Sequence, residues 1–481
     1  MRDHEFKTFL AKFDTLKSIR PLGQVMSAEA SALRVSGLST SAHLGDQVRV
    51  MCRSGGDLLG EVIAIEPENI RVVCYEELDG VARHDHVVLL DAPSLAPDDT
   101  WIGRVIDPFG QPMDGQPLLK GSNRLNLRAA PPSPARRGGL GPRLETGMAA
   151  FNTLLPVAKG QRLGLFAGSG IGKSSLIASF ARNLEADVVV VALIGERGRE
   201  VRDFVETTLG LEGMARSVVI AATSDQTALA RRRCAWSAMT TAEYFRDTGR
   251  NVLLLADSMT RFAEAHREVA TAGGELPALR GFPPSTAHLL MQLCERAGPG
   301  EPGQGAITAI FSVLVAGSDM DEPISDILRG VLDGHVVLDR TIAERGRFPA
   351  VDLLRSVSRS LPGVATADEV AVITEVRQLL GAYDRSATMV HAGLYADGSD
   401  PVLDRAIKAW PALDAFLSEP EKQNVANSFN RLKLILRRAS KATPSPQTVP
   451  SRGSHASGSG TRSTGASPAS RGAIVSGTLP G

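Results

Sequence analysis

The spacing of apolar residues changes several times along this 481-residue chain, and each change predicts a different architecture. Within residues 1–20, five apolar residues recur at the spacing of one helical face: Phe6, Phe9, Leu10, Phe13 and Leu16. This spacing predicts a helix that packs on its own domain or docks a partner. Residues 21–97 then hold short alternating runs such as QVRVMCR and HVVLLDA, separated by Gly, Asp and Asn. They predict a small β-barrel, with a β-sandwich as the alternative.

Strand and helix patterns alternate through residues 98–366. Continuous apolar runs such as DVVVVALIGE and NVLLLAD indicate strands that are buried on both faces. This alternation predicts an α/β segment, with a parallel sheet and helices on both of its faces. Residues 367–441 are mostly helical in pattern, which predicts a helical C-terminal domain. Residues 442–481 hold almost no large apolar side chain and no acid, so we expect a disordered basic tail.

Composition narrows the functional classes. Lysine plus arginine equals aspartate plus glutamate, 53 against 53, so no net charge draws the chain to nucleic acid or to a membrane. No apolar run is long enough for a transmembrane helix, and the N-terminus lacks the uncharged core of a signal peptide. The four cysteines are widely spaced with no CxxC pair, which fits a reducing cytosol better than a zinc site or a disulfide framework.

The stretch FAGSGIGKSS lies between a predicted strand and a predicted helix. Its glycines let the backbone curl and point amide N–H groups inward, which makes an anion-binding nest at a helix start. Lys173 can reach the β- and γ-phosphates of a nucleotide, and the Ser174 hydroxyl can ligate Mg²⁺. The predicted nucleotide-binding residues are consecutive: Gly168, Ser169, Gly170, Ile171, Gly172, Lys173, Ser174 and Ser175.

Two of the predicted apolar strands that follow this loop in the chain end in a carboxylate. Asp257 ends NVLLLAD and can hold the shell of a Mg²⁺ ion, although it can also cap the helix that follows. Glu196 ends DVVVVALIGE, and a carboxylate at the C-terminal edge of a parallel strand faces the ligand crevice. From position alone, a catalytic Glu196 and an exposed strand-end residue paired with Arg197 or Arg199 stay equally open.

Five long motifs between residues 167 and 359 resemble the catalytic-subunit family of the rotary ATPases, and the resemblance runs from about residue 20 to 430. The motifs are AGSGIGKS, ALIGERGREVRDF, VLLLADSMTRFAEAHREV, GSDMDEPISDILRGVLDGHVVLDR and RFPAVDLLRSVSR. Within that family the chain is most similar to the flagellum-specific ATPases of type III protein export. The resemblance implies a small N-terminal β-barrel, a central P-loop (RecA-like) parallel sheet and a helical C-terminal domain.

The resemblance also implies roles for individual residues. Glu196 falls on the carboxylate that polarises the attacking water, and Arg197 on an arginine near the γ-phosphate. Asp257 falls on the Walker B aspartate. Arg296, in QLCERA, falls on a further arginine of the catalytic pocket.

Two more positions concern the base and the neighbouring subunit. Phe348, in RFPAVD, falls on the aromatic side chain that stacks on adenine. Arg359, in SVSR, falls on the arginine finger that reaches the ATP of the adjacent subunit. Because one chain carries both Glu196 and Arg359, a ring of identical subunits would be self-sufficient.

The implied function is an ATP hydrolase, with Mg²⁺ as cofactor, that energises flagellar type III protein export as a homohexameric ring. It would release or unfold export substrates at the export gate. The implied partners are further copies of the chain, a stator-like regulatory protein, the membrane proteins of the export gate and substrate–chaperone complexes, and no nucleic acid. The implied location is the cytoplasm, peripheral to the inner membrane at the base of the flagellum.

Four other functions compete with this interpretation. An injectisome ATPase for virulence secretion would have the same ATP site, so physical arguments do not separate it. Gly198 and the REV that follows argue against a rotary synthase β-subunit, which usually has Thr and then REG there. Tyr75 is the only aromatic residue among the β-rich runs, which argues against an RNA helicase ring. The carboxylate of Glu196 argues against a non-catalytic ring subunit.

Overall fold

The computed structural model describes residues 19–29, 31–315 and 320–440. The helix expected within residues 1–20 lies outside the described residues except for its last two positions. The disordered tail expected at 442–481 lies wholly outside them. The division of the chain into segments after residues 20, 97, 366 and 441 stays a prediction.

The first six strands form a closed barrel in the order β1-β2-β5-β4-β3-β6. The strands are β1 Leu22–Ala28, β2 Leu33–Ser36, β3 Gln47–Met51, β4 Asp57–Ile65, β5 Asn69–Cys74 and β6 His86–Leu89. Alternation gives the barrel its apolar core, because Val48 and Val50 point into it while Arg49 and Met51 face outward. The predicted barrel is therefore confirmed, and the sandwich alternative is wrong.

A mixed, mainly parallel sheet forms the centre of the molecule. Its main strands run in the order β17-β16-β10-β15-β13-β11-β12-β8, and β14 pairs with the start of β15. These strands are β8 Val105–Ile106, β10 Arg162–Ala167, β11 Val188–Glu196, β12 Ser217–Thr223, β13 Val252–Asp257, β14 Gly298–Pro299, β15 Ala306–Leu314, β16 Gly334–Leu338 and β17 Val351–Ser358. A separate short pair joins β7 Ser94–Leu95 to β9 Leu125–Asn126. Only β14 and β17 run antiparallel to their neighbours in this sheet.

Helices cover both faces of this sheet. The α-helices are α1 Ala149–Thr153, α2 Lys173–Asn183, α3 Gly198–Asp203, α4 Gly210–Met214, α5 Ala228–Asp247, α6 Met259–Ala272, α7 Ser285–Arg296, α8 Pro323–Val331, α9 Arg340–Glu344, α10 Ala367–His391, α11 Pro401–Phe416 and α12 Val425–Ser440. Successive residues of β11 enter different cores: Val189 and Val191 pack in one, and Val188 and Val190 in the other. Burial on both faces explains why this strand is apolar throughout.

The last three helices pack against one another and close one face of the sheet. Thr366 and Glu369 form a capping box that starts α10, and Asp400 caps α11 through two backbone N–H groups. Tyr383 of α10 stacks on Trp410 of α11 with ring centroids 4.2 Å apart. The predicted helical C-terminal region is confirmed. Within the described residues, no helix is long and apolar enough to cross a membrane.

Candidate active site

The phosphate-binding loop joins the end of β10 to the start of α2. Gly170 and Gly172 have φ angles of 77° and 89°, a left-handed conformation that favours glycine. A Cβ atom on Gly172 would also lie 3.3 Å from the Phe348 ring. The loop therefore needs glycine at position 172 for both backbone and space, and it leads directly into the helix that begins at Lys173.

Three neighbouring strands bring a lysine, a serine and an aspartate together beside this loop. Lys173 follows β10, Ser312 lies near the end of β15, and Asp257 ends β13. The Lys173 ammonium forms an ion pair with the Asp257 carboxylate, and the Ser312 hydroxyl donates a hydrogen bond of 2.6 Å to Asp257 Oδ1. All three side chains are buried, so their interactions are only weakly screened by solvent.

Glu196 lies at the end of the next strand, β11, whose Leu193 pairs with Asp257. Burial, followed by the negative charge of Asp257 and a hydrogen bond with Glu200, raises the pKa of the Glu196 carboxyl to about 7, while the positive charge of Lys173 opposes the shift. A carboxyl with a pKa close to neutral can accept a proton from water and give it up again. The environment of Glu196 therefore suits a general base.

The residues present fit a bound Mg²⁺ ion. Asp257 offers a carboxylate, and Ser174 places an exposed hydroxyl on the first turn of α2. No group of three or more His, Cys, Asp or Glu residues that could hold a metal occurs in the part of the chain that the structure describes. Mg²⁺ commonly takes one or two carboxylates and completes its shell with waters and substrate phosphates, so this small oxygen donor set is adequate.

A cleft of about 590 Å³ opens beside the loop. Gly168, Ser169 and Ile171 line it from the loop side, and Arg340 donates a hydrogen bond of 3.2 Å to the Ser169 carbonyl. Arg261 also lines the cleft, from the first turn of α6, four residues after Asp257. Sequence reasoning missed Arg261, although its place four residues beyond the strand-end carboxylate of Asp257 was a usable signal.

Arg197 follows Glu196 directly and precedes the first residue of α3. Its side chain is 81% exposed, and its Nη1 atom lies 3.5 Å from the Glu200 carboxylate. This weak, exposed pair leaves the guanidinium able to turn toward a ligand. Its role near the γ-phosphate stays a prediction.

The antiparallel strand β17 carries one predicted functional residue at each end. Phe348 precedes the strand and lies against Gly172 of the loop, with 53% of its surface exposed. Arg359 follows the strand at the opposite edge of the sheet, where Ser358 pairs with Gly334 at the start of β16. Phe348 can therefore contact a nucleotide bound at its own loop, whereas Arg359 lies at the opposite edge of the sheet from that loop.

The structure corrects the assignment of Arg296 to the catalytic pocket. Arg296 ends α7 next to β14, and β14 pairs with the first residues of β15. The phosphate loop lies beside the last residues of β15. Seven strand residues separate Ile307 from Leu314, which is roughly 23 Å at the usual rise per residue. The Arg296 guanidinium is buried and donates to both oxygens of Glu243, at 2.9 and 2.6 Å. Arg296 is therefore a structural residue.

Comparison with known proteins identifies the family. Residues 147–358 match the model of the ATP synthase alpha/beta family, nucleotide-binding domain. Residues 365–433 match the C-terminal domain of the type III secretion ATPase EscN.

Individual relatives extend these matches over most of the chain. The flagellum-specific ATP synthase of Caulobacter vibrioides is 40% identical over 439 residues, covering 89% of this chain and 99% of the relative. The type 3 secretion system ATPase of Xanthomonas euvesicatoria is 41% identical over 423 residues, covering 88% and 95%. The assembled ATPase EscN of enteropathogenic E. coli, in complex with its central stalk EscO, superimposes with a TM-score of 0.78 at 35% identity, covering 86% of this chain and 100% of that one. This chain therefore belongs to the ATP synthase α/β family, in the branch of flagellar and type III secretion ATPases, and is a nucleotide-binding ATP hydrolase.

Proposed function

We propose that this chain hydrolyses ATP in a homohexameric ring that energises flagellar type III protein export. The observation that carries the proposal is the division of the catalytic residues between the two edges of the sheet. Lys173, Asp257 and Glu196 gather at one edge, and Arg359 lies exposed at the other. A site of this kind is incomplete until a second copy supplies its arginine, which favours a closed ring of identical subunits.

In this mechanism each residue has a separate task. The loop N–H groups and Lys173 hold the phosphates, and Phe348 packs against the adenine. Glu196 orients the attacking water and accepts its proton. Ser174 and Asp257 would hold a Mg²⁺ ion, which would supply positive charge to offset that of the phosphates.

Arginines complete the electrostatic stabilisation. The transferred phosphoryl group spreads its charge over its oxygens, so positioned cations lower the barrier. Arg261 provides one such cation from within the cleft, and Arg197 provides a second. Arg359 of a neighbouring copy provides the finger, a contribution worth roughly 10³–10⁵ in rate in related phosphoryl-transfer enzymes.

The proposed partners follow from the ring. The EscN relative, which is assembled and bound to a central stalk protein, supports both the ring and a stalk-like regulatory partner. The export-gate membrane proteins and substrate–chaperone complexes complete the proposal. We assign the activity to the cytoplasm, peripheral to the inner membrane at the base of the flagellum. We also propose that the chain is divided into five segments, with boundaries after residues 20, 97, 366 and 441.

Secretion in the native host tests this proposal. A chromosomal Glu196→Gln substitution should stop or sharply reduce the appearance of flagellar filament proteins in the medium, because the ring assembles but does not hydrolyse ATP. A wild-type copy supplied in trans should restore secretion. Unchanged flagellar secretion in the variant strain would overturn the proposal.

An injectisome ATPase is the second candidate, and the 41% identity to the Xanthomonas euvesicatoria type 3 secretion ATPase supports it. The same host distinguishes the two. Loss of secreted virulence effectors with normal flagella in the Glu196→Gln strain would favour this second function.

A further inference from the structure

Helix α8 spans the distance between two functional regions of one subunit. At its N-terminal end, Glu322, Pro323 and Ile324 line the cleft beside the phosphate loop. At its C-terminal end, the chain meets Arg359. The helix has nine residues and is therefore about 13 Å long. One short helix thus touches the subunit's own cleft and the arginine that the subunit offers to its neighbour.

The contacts at the C-terminal end are specific. Arg359 Nη1 donates to the Leu332 carbonyl at 3.1 Å, and Nη2 donates to the Arg329 carbonyl at 3.2 Å. The last carbonyls of a helix lack partners within the helix, and a cation there is favoured by the helix dipole. The Arg359 backbone N–H also donates to Asp333, the next residue but one after α8, at 3.0 Å. An arginine has five N–H groups, so Arg359 can keep both side-chain bonds while donating to a phosphate.

The helix is held as a rigid element. Ile324 and Leu328 are 4% and 0% exposed, and both pack in the core on one face of the central sheet. A packed helix shifts as a unit, because close-packed interiors resist gradual deformation. A displacement that begins at the cleft end is therefore passed to the carbonyls that hold Arg359.

We propose that α8 positions the Arg359 finger and couples it to the occupancy of the subunit's own cleft. ATP bound in one subunit would then set the finger for hydrolysis in the next subunit. This inference rests on the proposed action of Arg359 in trans, and it adds a direction of communication around the ring.

Mixed rings test the coupling with the full-length chain. Arg359→Ala subunits serve as recipients, since they keep Lys173 and Glu196 but offer no finger. Two donors offer a finger without hydrolysing ATP: Glu196→Gln, which holds ATP, and Lys173→Ala, which does not. At equal donor content, the Glu196→Gln donor should support at least about fivefold more turnover than the Lys173→Ala donor, within the usual range of coupling between sites. Equal restoration by both donors would overturn the coupling.

A matched pair of helix variants tests the part played by α8. Gly330 lies exposed in its last turn, and apart from its chain neighbours and the backbone of the helix itself, nothing lies within 4 Å of the position of an added Cβ. Gly330→Pro removes a helical N–H and distorts this turn, whereas Gly330→Ala keeps the N–H. Placed in the Glu196→Gln donor, Gly330→Pro should remove the restoration and Gly330→Ala should retain it. Full restoration by the proline donor, in rings shown to contain it, would contradict the role of the helix.

These outcomes separate the coupling from the proposed function. If Glu196→Gln donors restore the recipients and the Lys173→Ala donors restore them equally, the finger acts in trans but α8 does not couple it to the cleft. If no donor restores activity in verified mixed rings, the trans finger itself is wrong and the coupling falls with it.

Discussion

Lys173 of the phosphate loop forms an ion pair with Asp257, 84 residues further along the chain. Lys173 follows strand β10, and Asp257 ends strand β13. These two strands flank β15, whose Ser312 donates a hydrogen bond to the same aspartate. Both charged side chains are more than 90% buried. This pair fixes the position of the loop relative to the carboxylate proposed to hold the metal.

Lys173→Ala should lower ATP turnover by at least about 100-fold, because a preorganised cation at the transferred phosphate is lost. Phosphate release measures this loss. The substitution also leaves a buried carboxylate without its cation, which lowers stability. The Lys173→Ala/Asp257→Asn double variant should regain melting temperature without regaining turnover. Turnover close to that of the wild type in Lys173→Ala would mean that the loop does not hold the reacting phosphate.

The raised pKa of Glu196 predicts a pH-dependent rate. Below about pH 7 the carboxyl is increasingly protonated and cannot accept a proton from water, so kcat should rise with pH through a midpoint near 7. Glu200→Ala removes one cause of the raised pKa, and the midpoint should move to lower pH.

Glu206→Ala is the matched control for this profile. Glu206 pairs with Arg202 in the same exposed segment and is not among the groups that shift the pKa of Glu196. The midpoint of the kcat profile in the Glu206→Ala variant should equal that of the wild type. A kcat that does not change across the neutral range in the wild-type enzyme would rule out Glu196 as the base.

Arg261 and Arg296 should respond in opposite ways. Arg261→Ala should lower kcat by about 10²-fold or more, since an electrostatic contact in the cleft is lost, with little change in melting temperature because the side chain is partly exposed. Arg296→Met should leave Glu243 buried without its partner and cost about 3–5 kcal/mol of stability. Thermal unfolding and turnover per folded ring separate these effects. A kcat defect in a stably folded Arg296→Met ring would restore the original assignment.

Glu196 and Asp257, which the structure brings to the same edge as the phosphate loop, share one property: they end strands of a parallel sheet. The carboxyl ends of such strands meet at one edge, so Glu196 and Asp257 could be expected beside the loop from their apolar strands alone. Arg296 could not be located in this way, because it ends a helix, and a helix pattern does not say at which edge of the sheet the helix stops. Arg261 was missed because its stretch was interpreted only as a helix.

The barrel shows a second limit of sequence patterns. Alternation identified its strands, but closure depends on the pairing of β1 with β6, whose residues Leu22 and Val88 are far apart in the chain. Nothing local in either strand encodes that pairing. The family resemblance implied a closed barrel, which the spacing of apolar residues alone did not establish.

Phe348→Ala should raise the KM for ATP with little change in kcat. Stacking of an aromatic side chain on a base contributes about 1–3 kcal/mol, which corresponds to roughly 5- to 150-fold in affinity. Phe348 is half exposed, so its truncation should not disturb the fold. Phe348→Tyr keeps the ring and should keep the KM. An unchanged KM in Phe348→Ala would place the adenine elsewhere.

In the proposed ring, Arg359 of a neighbouring copy completes each ATP site. Arg359→Ala and Glu196→Gln subunits should each be nearly inactive alone. Mixed in equal amounts, they should regain activity at roughly a quarter of the interfaces, where an intact Glu196 meets an intact Arg359. The measurement is ATP turnover of rings shown to contain both variants. Restored turnover is the predicted result, and turnover no higher than that of either variant alone would contradict the account.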